Sequence, residues 1–152
     1  MPKRLTAGLV GLLLGFSFTT PAYAATPTPA YCAPGAVIFH SLVRLVDISG
    51  VNPSRARISG QITLERADLV SLATQARRTQ PVTVVKRLAA LRSALANEVS
   101  AYVVLDAYAH THATISSSAS VVTRVHQAFE AESFTLSDWW ADELGACRTR
   151  IS

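Results

Sequence analysis

The sequence predicts an all-α fold: a single-domain helical bundle of about five helices, with its N- and C-terminal elements joined by a disulfide. Three observations carry that expectation. Apolar residues recur at steps of three and four along most of the chain, no strand-like alternation competes with them, and the two cysteines, Cys32 and Cys147, stand near opposite ends of the part that can fold.

Residues 1–24 read as a secretory signal peptide. Lys3 and Arg4 supply the charged start, Leu5 to Phe18 an apolar run, and Ala22-Tyr23-Ala24 a small-x-small cleavage box behind Pro21. A run of this length is short of the roughly 20 apolar residues that span a bilayer. No second run of spanning length is expected, so the mature chain is read as secreted, or extracytoplasmic, and without a transmembrane segment. In that oxidising setting Cys32 and Cys147 pair. Tyr31 ahead of Cys32 does not make a lipoprotein box, so Cys32 is not read as lipidated.

Residues 25–33 form a Thr/Pro-rich leader, expected to be extended and flexible, and residues 34–150 the helical domain. Pro34 suits the first turn of a helix, because its missing N–H has no intrahelical partner there. Val37 to Ile48 is apolar nearly all round, which predicts a buried helix ended by Ser49-Gly50 and Asn52-Pro53. A second helix runs from about Thr63 to Arg78, and Gln80-Pro81 closes it. From Val82 to about Ala113, Val85, Leu88, Leu91, Leu95, Val99, Tyr102 and Leu105 mark the longest helix. The hydroxyl-rich stretch Thr114 to Ser120 predicts a break. A further helix is expected from Ala119 to Ala131, and a last one capped by Thr135-x-x-Asp138. In that last helix Trp140, Leu144 and Cys147 share the core stripe, which leaves Trp139 at the margin.

Charge is divided unevenly. Between Arg55 and Arg92 there are eight basic residues against Glu65 and Asp68, whereas from Ser93 to Glu143 there is Arg124 against seven acids. Two halves of opposite sign can pack against each other. Alternatively, the basic stretch Arg77, Arg78, Lys86, Arg87 and Arg92 can meet an anionic partner, either an envelope surface or another protein. It lacks interleaved aromatics, which argues against single-stranded nucleic acid. Trp139, if exposed, is a second candidate contact. Arginine outnumbers lysine twelve to two, which points to a high-GC bacterial source.

Motifs for chemistry are sparse. There is no Gly-x-Ser-x-Gly elbow and no Gly-rich phosphate loop, and both cysteines are taken. His110 and His112 are two apart, so on a helix they point away from each other, and no metal site is expected. Asp106 and His110 stand at i, i+4, as do Tyr108 and His112. A tyrosine or histidine beside an apolar pocket can ligate haem iron. The Tyr108-x-x-x-His112 step resembles a fragment of some secreted actinobacterial haem-binding proteins, and that five-residue resemblance implies Tyr108 and His112 as haem ligands. The leading expectation is a non-enzymatic binding protein at or outside the cell envelope, with no cofactor. A carrier of an apolar ligand such as haem is one alternative, and a small secreted enzyme without a linear motif is the other.

Overall fold

A computed structural model describes residues 28–45, 47–48 and 52–148. The predicted signal peptide lies outside the described residues. Four helices make up the described fold: α1 (Cys32–Leu42), α2 (Arg55–Arg78), α3 (Val82–Thr111) and α4 (Ser120–Arg148). The all-α class holds, but the helices number four where about five were expected.

The difference lies in α4, which runs unbroken through the turn expected near Thr135. The Thr135 hydroxyl does not cap a new helix. It donates back to the carbonyls of Ala131 (3.0 Å) and Glu132 (2.9 Å) on its own helix. Buried residues continue across the join at helical steps, from Val125 through Glu132, Leu136 and Trp139 to Glu143. That phase also reverses the two tryptophans. Trp139 is fully buried, and Trp140 sits half-buried on the flank, stacked on Phe39 of α1 with ring centroids 4.2 Å apart.

α1 starts and stops earlier than the sequence suggests. Its last turn tightens as the N–H groups of Arg44 and Leu45 bond the carbonyls of Ser41 (3.1 Å) and Leu42 (2.9 Å), three residues back. The expected flexible leader is docked at its end. Tyr31 is buried, and its carbonyl accepts from Gln75 Nε2 at 2.7 Å. Ser54 caps α2 by accepting from the Arg57 N–H at 3.3 Å, and Pro81 stands at the start of α3.

Neighbouring helices pack in a closed circuit, α1–α2–α3–α4–α1, and the backbones of the diagonal pairs stay apart, although the long Gln75 side chain of α2 reaches Glu143 of α4. The cross-section is therefore square, with α3 opposite α1. Because α1 has 11 residues against 24 to 30 in the others, it fills its corner over only part of the bundle's length. Past its end the chain still keeps to that corner, where Leu45 and Ile48 are buried.

α3 is, by length and composition, apolar enough to cross a membrane, which corrects the expectation that no second run reaches that length. In this fold it is a helix of the bundle, packed between α2 and α4. Leu88, Leu91, Leu95, Tyr102 and Leu105 are buried between its neighbours.

The apolar core is divided. One cluster, at the disulfide end, gathers Ile38, Leu42, Leu72, Leu88, Leu91, Leu95, Leu136 and Trp139. The other gathers Ile48, Ile58, Ile62, Val99, Tyr102, Leu105, Val122 and Val125. What separates them is polar.

Candidate functional site

Between the two apolar clusters, three helices each contribute a buried glutamate. Glu65 follows Ile62 on α2, Glu98 lies between Leu95 and Tyr102 on α3, and Glu132 lies between Val125 and Leu136 on α4. Relative exposure is 0% for Glu65 and Glu98 and 1% for Glu132. Antiparallel packing of successive helices brings these positions to one level. Gln61 and Asp68 join them from α2, both buried. Gln61 and Glu98 are the polar side chains that act most directly on Glu65. None of the four carboxyl oxygens of Glu65 and Glu98 meets a hydrogen-bond partner in the protein. An ionised carboxylate in such a place loses its hydration without compensation, a cost of several kcal/mol.

Proton affinity resolves that cost. Burial raises Glu98 to about 9, with the charges of Glu65 and Glu132 adding to the effect. Burial raises Glu65 to about 8, opposed by Gln61 and Glu98. Glu132 is raised to about 7, first by burial and then by Asp68. Asp68 is also raised by burial, although the Ser41 hydroxyl that donates to its Oδ1 at 2.8 Å holds the shift back. Burial raises the Tyr102 phenol as well, and its oxygen accepts a long hydrogen bond (3.4 Å) from the Ile48 N–H. Near neutral pH, Glu65 and Glu98 are therefore uncharged acids. Among the described residues no three His, Cys, Asp or Glu side chains are placed to hold a metal ion.

A second polar group lies at the disulfide end. Gln75 Nε2 donates to Glu143 Oε1 (2.8 Å) as well as to the Tyr31 carbonyl, which fixes the start of α1 against α2 and α4. Gly35 passes so close that an added Cβ would meet Gln75 Nε2 at 2.9 Å and press on Glu143 Oε1. Glu143 is raised by burial, opposed by Gln75. This group ties three helices together.

Cys32 and Cys147 form the expected disulfide. Tyr108 and His112 stack on each other at the end of α3, centroids 3.7 Å apart, with Tyr108 half-buried and His112 exposed. The His112 ring nitrogen Nδ1 lies 3.0 Å from the Tyr108 carbonyl oxygen. Thus the two rings occupy each other's faces. His110 lies 3.8 Å from Asp106 and also meets Arg55. Trp139, expected at the margin of the core and a contact candidate if exposed, is wholly inside, so that contact role is closed to it.

The basic stretch is exposed. Arg87 reaches across to α4, at 3.0 Å from Asp138 and 3.3 Å from Asp142. Arg77, Arg78, Lys86 and Arg92 make no ion pair among the described residues.

The depressions on the described surface are open grooves, and two of them flank α1. On the α2 side, Val37, His40, Ser41, Arg44, Leu45, Leu64 and Asp68 line about 500 Å³. On the α4 side, a groove of about 240 Å³ is bordered by Phe39, Leu42, Val43, Leu45, Phe129 and Glu132. Each groove thus reaches one acid at the edge of the buried layer.

Neither protein-family models, curated proteins nor solved structures include a match to this chain.

The carboxylate layer escapes sequence reasoning that treats charged residues as solvated. Its signal is nevertheless present, since Glu98 stands on the same stripe as Leu91, Leu95, Tyr102 and Leu105.

Proposed function

We propose that this chain is an exported, non-enzymatic binding protein that attaches to an anionic envelope surface through the outer side of the α2–α3 hairpin. One observation carries the reading: half of the acidic residues are not at the surface. Glu65, Asp68, Glu98, Glu132 and Glu143 are buried, five of the ten acids in the chain, and no arginine or lysine is buried among the described residues. The formal charge, +4 for the whole chain and +2 once Lys3 and Arg4 leave with the leader, therefore understates how basic the outside is. The acids that would balance the basic stretch are spent in the core, and Arg87 takes the two nearest on α4. Arg77, Arg78, Lys86 and Arg92 are left to attract a negative surface, each contributing about 1 kcal/mol against anionic lipid at moderate salt.

Co-sedimentation with vesicles tests this. Binding to phosphatidylglycerol-rich vesicles at low salt is expected, with little binding to neutral phosphatidylcholine. Replacing Arg77, Arg78, Lys86 and Arg92 by serine should weaken it tenfold or more, by about 1 kcal/mol for each cation facing the surface. Equal affinity for neutral and anionic vesicles, or a quadruple variant that binds as the parent does, would remove the proposal.

A further inference from the structure

We propose that the groove between α1 and α2 binds one long-chain fatty acid, with its hydrocarbon tail against Val37 and Leu64 and its carboxylate on Arg78.

The groove is longer than its stretch beside Asp68. α1 runs antiparallel to α2, because the chain at Tyr31 meets Gln75 and Ser41 meets Asp68. Past Val37, which lines both stretches, the groove continues towards the disulfide end for a further volume of about 260 Å³, bordered by Pro34, Ser71, Thr74, Gln75 and Arg78. On α2 it follows a single stripe at steps of three and four: Leu64, Asp68, Ser71, Gln75 and Arg78. At about 1.5 Å per residue, that stripe is roughly 21 Å long. An acyl chain occupies one leaflet of a bilayer whose hydrocarbon core is about 30 Å thick, so it is about 15 Å long. The groove thus holds one extended chain and leaves space for a headgroup at one end.

Its walls suit the tail. Val37 on α1 is 70% exposed and Leu64 on α2 58%, although both are aliphatic. The hydroxyl groups along the groove already donate within the protein: Ser41 to Asp68 at 2.8 Å, Ser71 to the Ala67 carbonyl and Thr74 to the Val70 carbonyl, both at 3.1 Å. Gln75 Nε2 likewise donates to the Tyr31 carbonyl and to Glu143. A hydrocarbon laid along this surface therefore displaces water without costing these donors their partners.

Charge sets the direction of the ligand. α1 carries no acid, and both acids of α2, Glu65 and Asp68, are buried. Asp68 lines the groove near one end, where His40 and the exposed Arg44 stand on the same stretch of wall. There an acid already offsets the positive charge, and a second carboxylate would meet the first. The other end offers Arg78, exposed and outside every ion pair among the described residues. Glu143 of α4, at that same end, is buried and accepts from Gln75 at 2.8 Å. A guanidinium can take a carboxylate with two parallel hydrogen bonds, which is the contact assigned to Arg78. Arg78 belongs also to the basic face, but the rest of this site does not, and the site does not rest on attachment to a surface.

Isothermal titration calorimetry tests this on the disulfide-bonded chain, with laurate kept below its micelle concentration. Saturable binding of one laurate per chain is expected, with dodecanol, which has the same tail and no charge, roughly tenfold weaker. Arg78→Glu should weaken laurate binding by about tenfold, and so should V37Q/L64Q, whose exposed positions leave the melting temperature unaltered. V37Q/L64Q should also sediment with phosphatidylglycerol vesicles as the parent does, which separates this site from the basic face. The proposal fails if dodecanol binds as tightly as laurate, if V37Q/L64Q binds laurate as the parent does, or if Arg44→Glu costs more affinity than Arg78→Glu. Vesicle binding that persists without any saturable laurate binding would overturn this site alone and leave surface attachment standing.

Discussion

Glu98 sits where a leucine would be expected, and its chemistry follows from that place. Burial favours the neutral acid in the folded chain, raising its proton affinity from the ordinary 4.5 to about 9. The sign is fixed by linkage. Folding is favoured in full below the unfolded value near 4.5, and the advantage is lost as pH climbs through the folded values of about 8 for Glu65 and about 9 for Glu98. Denaturant midpoints should therefore fall between pH 5 and pH 9. The substitution Glu98→Gln removes one ionisation while keeping the shape, so it should flatten that decline and raise stability at pH 9 by on the order of 3 kcal/mol. A parent curve that rises across this range, with Glu98→Gln offering nothing at pH 9, would show that the layer is solvated. Gly35 illustrates a different constraint, one of space. It lets α1 approach Gln75 and Glu143 closely, a need that no local sequence pattern expresses.

At the scale of the helix, most of the architecture can be read from the chain. The core stripe from Leu88 to Leu105 identifies α3 almost to its ends, and Pro81 marks where it starts. Hydroxyl residues mislead at Thr135, because the same side chain that caps a helix can bond back within one. Which occurs depends on whether the buried face continues, and here Glu132, Leu136 and Trp139 carry it through. A misplaced break shifts the phase by a residue, and for that reason the sequence points to Trp140 as the core tryptophan. Thr135→Pro distinguishes the two arrangements. Proline suits the first turn of a separate helix, whereas in the interior of α4 it removes a hydrogen bond and should cost about 3 kcal/mol. A large drop in melting temperature and lost far-ultraviolet helical signal are expected, and an unchanged melt would mean that α4 is two helices.

For the whole molecule, the disulfide was legible and the polar layer was not, for a physical reason. A chain with two cysteines offers one intramolecular pairing, and the link, 115 residues apart in sequence, joins the ends of the fold. The apolar stripe of α3 marks Glu98 alone; that Glu65 and Glu132 meet it follows from how the helices pack, which no single helix records. Glu65, Glu98 and Glu132 are separated by 33 and 34 residues in sequence and brought to one level by antiparallel packing. That layer links the inside of the molecule to its outside, since acids held in the core leave an unbalanced basic surface. The direct measurement is a carbon-13 NMR titration of the glutamate carboxyl groups in the folded protein, assigned by Glu65→Gln and Glu98→Gln. The account predicts that Glu65 and Glu98 remain protonated at pH 7 and titrate as a coupled pair well above the ordinary value. Both titrating near the ordinary value of 4.5 while the helical fold persists would contradict it.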